Sequence, residues 1–260
     1  MEISNAFEGM TRIRKVQIPE SVREIGYHAF SGCKSLNQIS IPNGVNAIGE
    51  YAFTGCESLT DVKIPGSVRT IGNSAFYACS NLLSVTLENG VASIDKGAFY
   101  FCENLSEITI PDSVSYLGES AFGYCKNLRQ LIISRNIKTI SDQCFARCDQ
   151  LTHVTIPEGI IEVGDLAFDA CENLSYVSIP STIISMAGGK GNASYRAFGA
   201  AFLNCRNLSN VNIPNDIRNL RVNPFIGCSN LFFKTKYYIC KAGKLKLSLA
   251  GKLAGLECYN

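Results

Sequence analysis

Several things are scarce in this 260-residue chain, and each scarcity closes a class of function. Only two histidines are present, His28 and His153, and no paired carboxylates mark out a cleft, so general acid–base chemistry has little to work with. His28 lies five residues before Cys33, but a Cys–His dyad needs an orienting partner and an accessible thiolate. Net charge is scarce too. A formal +2 over the whole chain argues against nucleic acid as the main partner. No run approaches eighteen apolar residues, so no segment reads as a transmembrane span. Met1 to Lys15 lacks the basic-then-apolar layout of a secretory leader.

Cysteine is abundant, with twelve residues, and its spacing carries the reading. Cys33, Cys56, Cys79, Cys102, Cys125, Cys148 and Cys171 recur every 23 residues; Cys205 follows after 34, and Cys228 after another 23. A disulfide framework has no reason to keep one interval, whereas a stacked repeat does. Equivalent side chains on neighbouring coils point the same way. A disulfide wants converging Cβ atoms about 3.8 Å apart, and zinc wants four ligands around one point. A straight ladder supplies neither. The cysteines read as small buried hydrophobes, and no metal or cofactor is implied.

The other columns follow. Phenylalanine stands three residues before each cysteine, from Phe30 to Phe225, and leucine three after, from Leu36 to Leu231. Aliphatic pairs such as Ile39/Ile41 and Val62/Ile64 come next, then a proline (Pro19, Pro42, Pro65, Pro111, Pro157, Pro180, Pro214), then Val-x-x-Ile-Gly. The frame runs back to Phe7, with Met10 in the first cysteine slot. Two-residue alternation predicts a strand with one buried face; proline ends it because it cannot donate to the ladder. The Val-x-x-Ile-Gly stretch is expected to be extended, with Gly26, Gly49, Gly72, Gly118 and Gly164 easing the corner. Ala-Phe-x-x-Cys is expected as a short helical turn. One coil cannot bury these side chains, but a stack can. The fold class is therefore a repeat solenoid of 23-residue coils, about nine to ten of them over residues 1–231.

Local departures are also legible. Glu88 and Ser134 replace proline, Asp95 and Ser141 replace glycine, Cys144 replaces alanine, and Asn223-Pro224-Phe225 replaces the last Ala-Phe. Eleven residues are added between Cys171 and Cys205, glycine-rich and polar over 188–198, and read as a loop. They lack the Gly-x-x-x-x-Gly-Lys-Ser/Thr spacing of a phosphate cradle. Residues 232–260 carry six lysines against Glu257, a balance of +5 that leaves −3 for the rest. Lys244 to Leu249 alternates with period two and Ala242-Gly243 suits a turn, so this segment reads as a basic C-terminal cap or hairpin. A basic patch for an anionic surface is the alternative. Cys240 and Cys258 are placed to pair if the compartment is oxidising.

The stretch Ile18-Pro19-Glu20-Ser21-Val22-Arg23-Glu24-Ile25-Gly26-Tyr27-His28-Ala29-Phe30-Ser31-Gly32-Cys33 resembles the BspA-like leucine-rich repeat, also called the Treponema pallidum type. The resemblance recurs about nine times and covers nearly the whole chain. It implies a cell-surface or secreted protein with an adhesive or protein-binding role, and it carries no residue-level binding motif. Outward-facing strand positions form a grid of mostly small polar residues, as on a solvated β face. Gln130, Ile132, His153, Thr155, Tyr176 and Ser178 stand out in it, combining an aliphatic, an imidazole and an aromatic of the kind enriched at interfaces. They are the candidate protein-partner residues. The competing readings are a structural spacer and an intracellular scaffold with no dedicated ligand site; nothing in the sequence fixes the oligomeric state.

Overall fold

In the computed structural model the described residues are 1–186, 200–214, 223–231 and the strands at 236–239 and 245–248. The insertion at 188–198 and Cys240 and Cys258 lie outside them. The chain winds as a succession of coils, each with two strands. The longer strands are β2 (Lys15–Gln17), β4 (Gln38–Ser40), β6 (Asp61–Ile64), β8 (Ser84–Leu87), β10 (Glu107–Thr109), β12 (Gln130–Ile132), β14 (His153–Thr155), β16 (Tyr176–Ser178) and β18 (Asn210–Asn212). The shorter are β1 (Glu2–Ile3), β3 (Glu24–Ile25), β5 (Ala47–Ile48), β7 (Thr70–Ile71), β9 (Ser93–Ile94), β11 (Tyr116–Leu117), β13 (Thr139–Ile140), β15 (Glu162–Val163) and β17 (Ser185–Met186). Every pairing in both sets is parallel; β1 pairs with β3 at an offset of 22 residues, and the other pairs keep a 23-residue register until the insertion, where Tyr176 pairs with Asn210. The Val-x-x-Ile-Gly segment is thus more than extended: it builds a second parallel sheet, six-stranded from β1 to β11.

The phenylalanine column forms one internal stack from Phe7 to Phe225. Successive ring centroids lie 5.0 to 5.6 Å apart, and most ring planes are within 10° of parallel. Phe30 through Phe202 are fully buried, as are the Leu36-type and Ile25-type columns beside them. Hydrophobic burial is the dominant favourable term in folding, and here each coil obtains it only from its neighbours. The first coil shows the consequence: Met10, in the cysteine slot, is 47% exposed and Phe7 only half-buried, because no coil covers their outer side.

The corner that carries Ala-Phe-x-x-Cys is not a turn of helix. Its own-coil bonds span three residues, Ala29 N to Gly26 O, Ser31 N to His28 O and Cys33 N to Phe30 O. The N–H groups between them, on His28, Phe30 and Gly32, donate instead to Glu50, Ala52 and Thr54 of the next coil. A helix would need those donors for itself. Left-handed φ at His28 (52°) and Gly32 (71°) turns the chain between bonds. Among the described residues no helix is present.

The glycine column also has a different cause from the one expected. Gly49 and Gly72 are not at positive φ, but a Cβ on Gly49 would sit 2.8 Å from the carbonyl carbon of Gly26, and one on Gly72 equally close to that of Gly49. The residue is needed for close coil approach, not for backbone freedom. Proline does end the strand and opens the following turn, its carbonyl accepting from Val22, Val45, Val68 and Val114 at 2.9 to 3.0 Å. Where Glu88 stands in the proline slot its N–H adds a bond to Ile64 O, 3.0 Å. Ser134, in the same slot, is buried and gives its hydroxyl to Val114 O at 2.8 Å.

The cysteines do more than fill space. Along the 23-residue column the Sγ donates to the phenylalanine carbonyl of the preceding coil: Cys56 to Phe30, Cys79 to Phe53 and Cys102 to Phe76, at 3.2 to 3.3 Å. The insertion does not disturb the rule, since Cys205 reaches Phe168 O at 3.1 Å. All ten cysteines among the described residues are free. Residues 236–239 and 245–248 pair antiparallel as β19 (Lys236–Ile239) and β20 (Leu245–Ser248), with Tyr238 opposite Lys246.

Candidate partner-binding face

The side chains singled out on the larger sheet sit where strand alternation puts them. On β12 and β14 the inward residues Leu131 and Val154 pack on the core, while Gln130, Ile132, His153 and Thr155 face outward and are exposed; Ile132 is 61% exposed. Tyr176 and Ser178 on β16 are half-buried. Register pairs His153 with Tyr176 and Thr155 with Ser178. The His153 and Tyr176 rings lie 5.9 Å apart, tilted by 39°. His153 Nδ1 is within 2.9 Å of Thr152 Oγ1.

The six residues do not form one uninterrupted patch of sheet. β12 is the last strand of the sheet β6-β8-β10-β12, and β14 opens the next, β14-β16-β18. Gln130 and Ile132 therefore ladder back to Glu107 and Thr109, away from His153 and Thr155. The coil holding β12 is the one in which Ser134, Ser141 and Cys144 replace three repeat residues. Cys144 adds a buried sulfur in the alanine column, and Phe122–Phe145 is the widest ring spacing in the stack, 5.6 Å.

Cys33 gives its thiol to Phe7 O at 3.0 Å, and His28 Nδ1 is 2.9 Å from Glu8 Oε1, so each is engaged with a different group. Burial pushes the Cys79 thiol up to about 12, which keeps it protonated and poorly nucleophilic. On the outer face Lys63 meets Glu88 at 2.7 Å; Lys63 and the Gly66 N–H hold that carboxyl below its usual range. Ion pairs between adjacent coils, such as Lys34–Glu57 and Lys126–Glu103, both 2.9 Å, are exposed and worth little. Among the described residues no group of His, Cys, Asp or Glu is arranged to hold a metal, and no helix is long and apolar enough to cross a membrane.

Reading the sequence by columns missed a second surface feature. Tyr77, Tyr100, Phe101 and Tyr124 touch one another on the turn edge, with ring centroids 4.6 to 6.0 Å apart. The signal was there in two adjacent columns at the 23-residue interval, the two positions before the cysteine, where no other coil carries an aromatic residue.

A family profile described as the BspA type leucine-rich repeat region, in six copies, matches residues 3–129, 71–189 and 194–235. No curated protein sequence matches the chain. Among solved structures, a leucine-rich cell surface protein from Faecalibacterium prausnitzii is 31% identical over 80% of this chain and 62% of its own length, with a TM-score of 0.50. The leucine-rich repeat protein of T. pallidum is 30% identical over 66% of this chain and 71% of its own, also at 0.50. The chain thus spans about three fifths of the Faecalibacterium protein. With the profile covering most of the sequence, the chain belongs to the BspA type leucine-rich repeat family.

Proposed function

We propose that this chain is a non-catalytic recognition or adhesion module that offers its larger sheet to a protein partner, at a cell surface or outside the cell. The observation that carries the reading is the His153–Tyr176 ring pair on the outward side of β14 and β16, with the exposed Ile132 on the preceding strand β12, on a face that is otherwise mostly small and polar. Aromatic side chains concentrate binding energy when they are desolvated by a partner. The cell-surface description of the Faecalibacterium relative supports the location.

The test is biolayer interferometry of the immobilised chain against a panel of purified extracellular proteins. Any binder found is remeasured with His153→Ala, Tyr176→Ala and, as a control remote from the face, Lys34→Ala. Loss of at least tenfold in affinity in the first two, with the control unchanged, supports the reading. Binders indifferent to both substitutions, or no binder at all, would leave the spacer or scaffold reading standing.

A further inference from the structure

The turn edge carries an arrangement that the solenoid does not need. One position per coil, immediately before the cysteine, sits in the left-handed region throughout the stack. Glycine fills it at Gly9, Gly32, Gly55 and Gly227, at φ 69° to 78°. In three consecutive central coils the same position holds Phe101 (φ 62°), Tyr124 (φ 59°) and Arg147 (φ 60°). Large side chains are disfavoured there; the coil's other left-handed position also takes them, at His28, Tyr51, Gln143 and Leu166, and what distinguishes this edge is the ring cluster that its side chains form.

What they build is contiguous. Tyr100 lies over Gly123, where a Cβ would come within 2.7 Å of its ring. Phe101 meets Tyr100 edge-on at 4.6 Å and Tyr124 at 4.7 Å. The Tyr100 ring lies 5.9 Å from that of Tyr77 and 5.3 Å from that of Tyr124, and burial, then these two neighbours, push its phenol up. The next coils continue the edge with Arg147, Asp149, Asp169 and Glu172. Arg147 acts on both aspartates, and Lys126, tied to Glu103 at 2.9 Å, also lies close enough to act on Asp149. Both aspartate carboxyls are held above the usual range, chiefly by burial, with Glu172 adding to the effect at Asp149. The edge therefore runs from aromatic to net acidic.

We infer that this edge is a second recognition surface, taking an extended basic polypeptide segment with cationic side chains over the aromatic quartet and against Asp149, Asp169 and Glu172. Tyr and Phe rings attract ammonium and guanidinium groups through their quadrupoles, and the acidic end complements the same charge. From the coil of Tyr77 to the coil of Glu172 is four coil steps, about 20 Å at strand spacing, which six or seven extended residues span. The surface is independent of the sheet face.

A fluorescein-labelled seven-residue peptide of alternating lysine and leucine is titrated with the chain in 150 mM salt, followed by anisotropy, with a glutamate–leucine peptide as control. Saturable binding of the basic peptide alone is expected. Phe101→Gly/Tyr124→Gly should weaken it at least tenfold with the thermal midpoint held or raised, since glycine suits the backbone there. Asp149→Asn/Asp169→Asn/Glu172→Gln should weaken it comparably, while His153→Ala/Tyr176→Ala leaves it unchanged. Absence of saturable binding, equal binding of the acidic peptide, indifference to the edge variants, or loss on changing the sheet face would each overturn the inference.

Discussion

Phe99→Ala tests the stack most directly. Phe99 is fully buried and sandwiched between Phe76 at 5.1 Å and Phe122 at 5.2 Å. Truncating a buried phenylalanine typically costs about 3–5 kcal/mol through lost transfer energy and the cavity left. Two parallel neighbours, each worth about 0.5–1.5 kcal/mol beyond area, place this site toward the upper end. Rigid backbone ladders on both sides oppose collapse into the hole. Phe7→Ala is the internal comparison: half-buried, with one ring contact at 5.0 Å, it should cost about 1–2 kcal/mol. Urea unfolding followed by far-UV circular dichroism measures both; the chain has no tryptophan, so tyrosine emission is the second probe. In a nearest-neighbour array a central lesion also uncouples the two halves, so the Phe99 variant should show a broadened transition and a lower m-value. Equal costs at Phe99 and Phe7, with unchanged cooperativity, would refute the idea that coils are stabilised by their neighbours.

Two further outcomes follow from the same packing. Gly72→Ala should cost about 1–3 kcal/mol by overpacking, because its Cβ meets backbone of the preceding coil and not a flexible side chain; urea midpoints check it. The thiol column makes stability pH-dependent in a definite direction. Cys79 is held at about 12 in the folded chain, above about 8.5 when unfolded, so the folded state keeps its proton while the unfolded state releases it. Its contribution is intact below about pH 8.5 and falls by about 1.4 kcal/mol per pH unit until the folded value is reached. Cys79→Ala should flatten the alkaline fall measured by urea midpoints between pH 8 and 10, and an unaltered slope would contradict the assignment.

The interval of the cysteines, the phenylalanine and leucine columns and the strand alternation made the solenoid legible from composition order alone, since a buried column needs the same residue at every coil. Outward positions on the larger sheet were equally legible, because side-chain direction in a strand follows parity. The helical expectation for the corner failed: local propensity in Ala-Phe-x-x-Cys is overridden when alternate N–H groups find acceptors on the next coil. The glycine column was visible, but its reason was not. Close approach between coils is a property of two segments 23 residues apart, and no single segment records it.

Sequence by itself determined that this chain is a stack of like coils with a greasy interior and a polar outer face, because periodic burial is written one residue at a time. Tertiary structure alone decided which outer residues meet. It broke the sheet between Ile132 and His153, and gathered Tyr77, Tyr100, Phe101 and Tyr124 on one edge. The physical reason is that lateral neighbours are set by the rise and register of the coil, about 5 Å per 23 residues, and those follow from backbone pairing between coils.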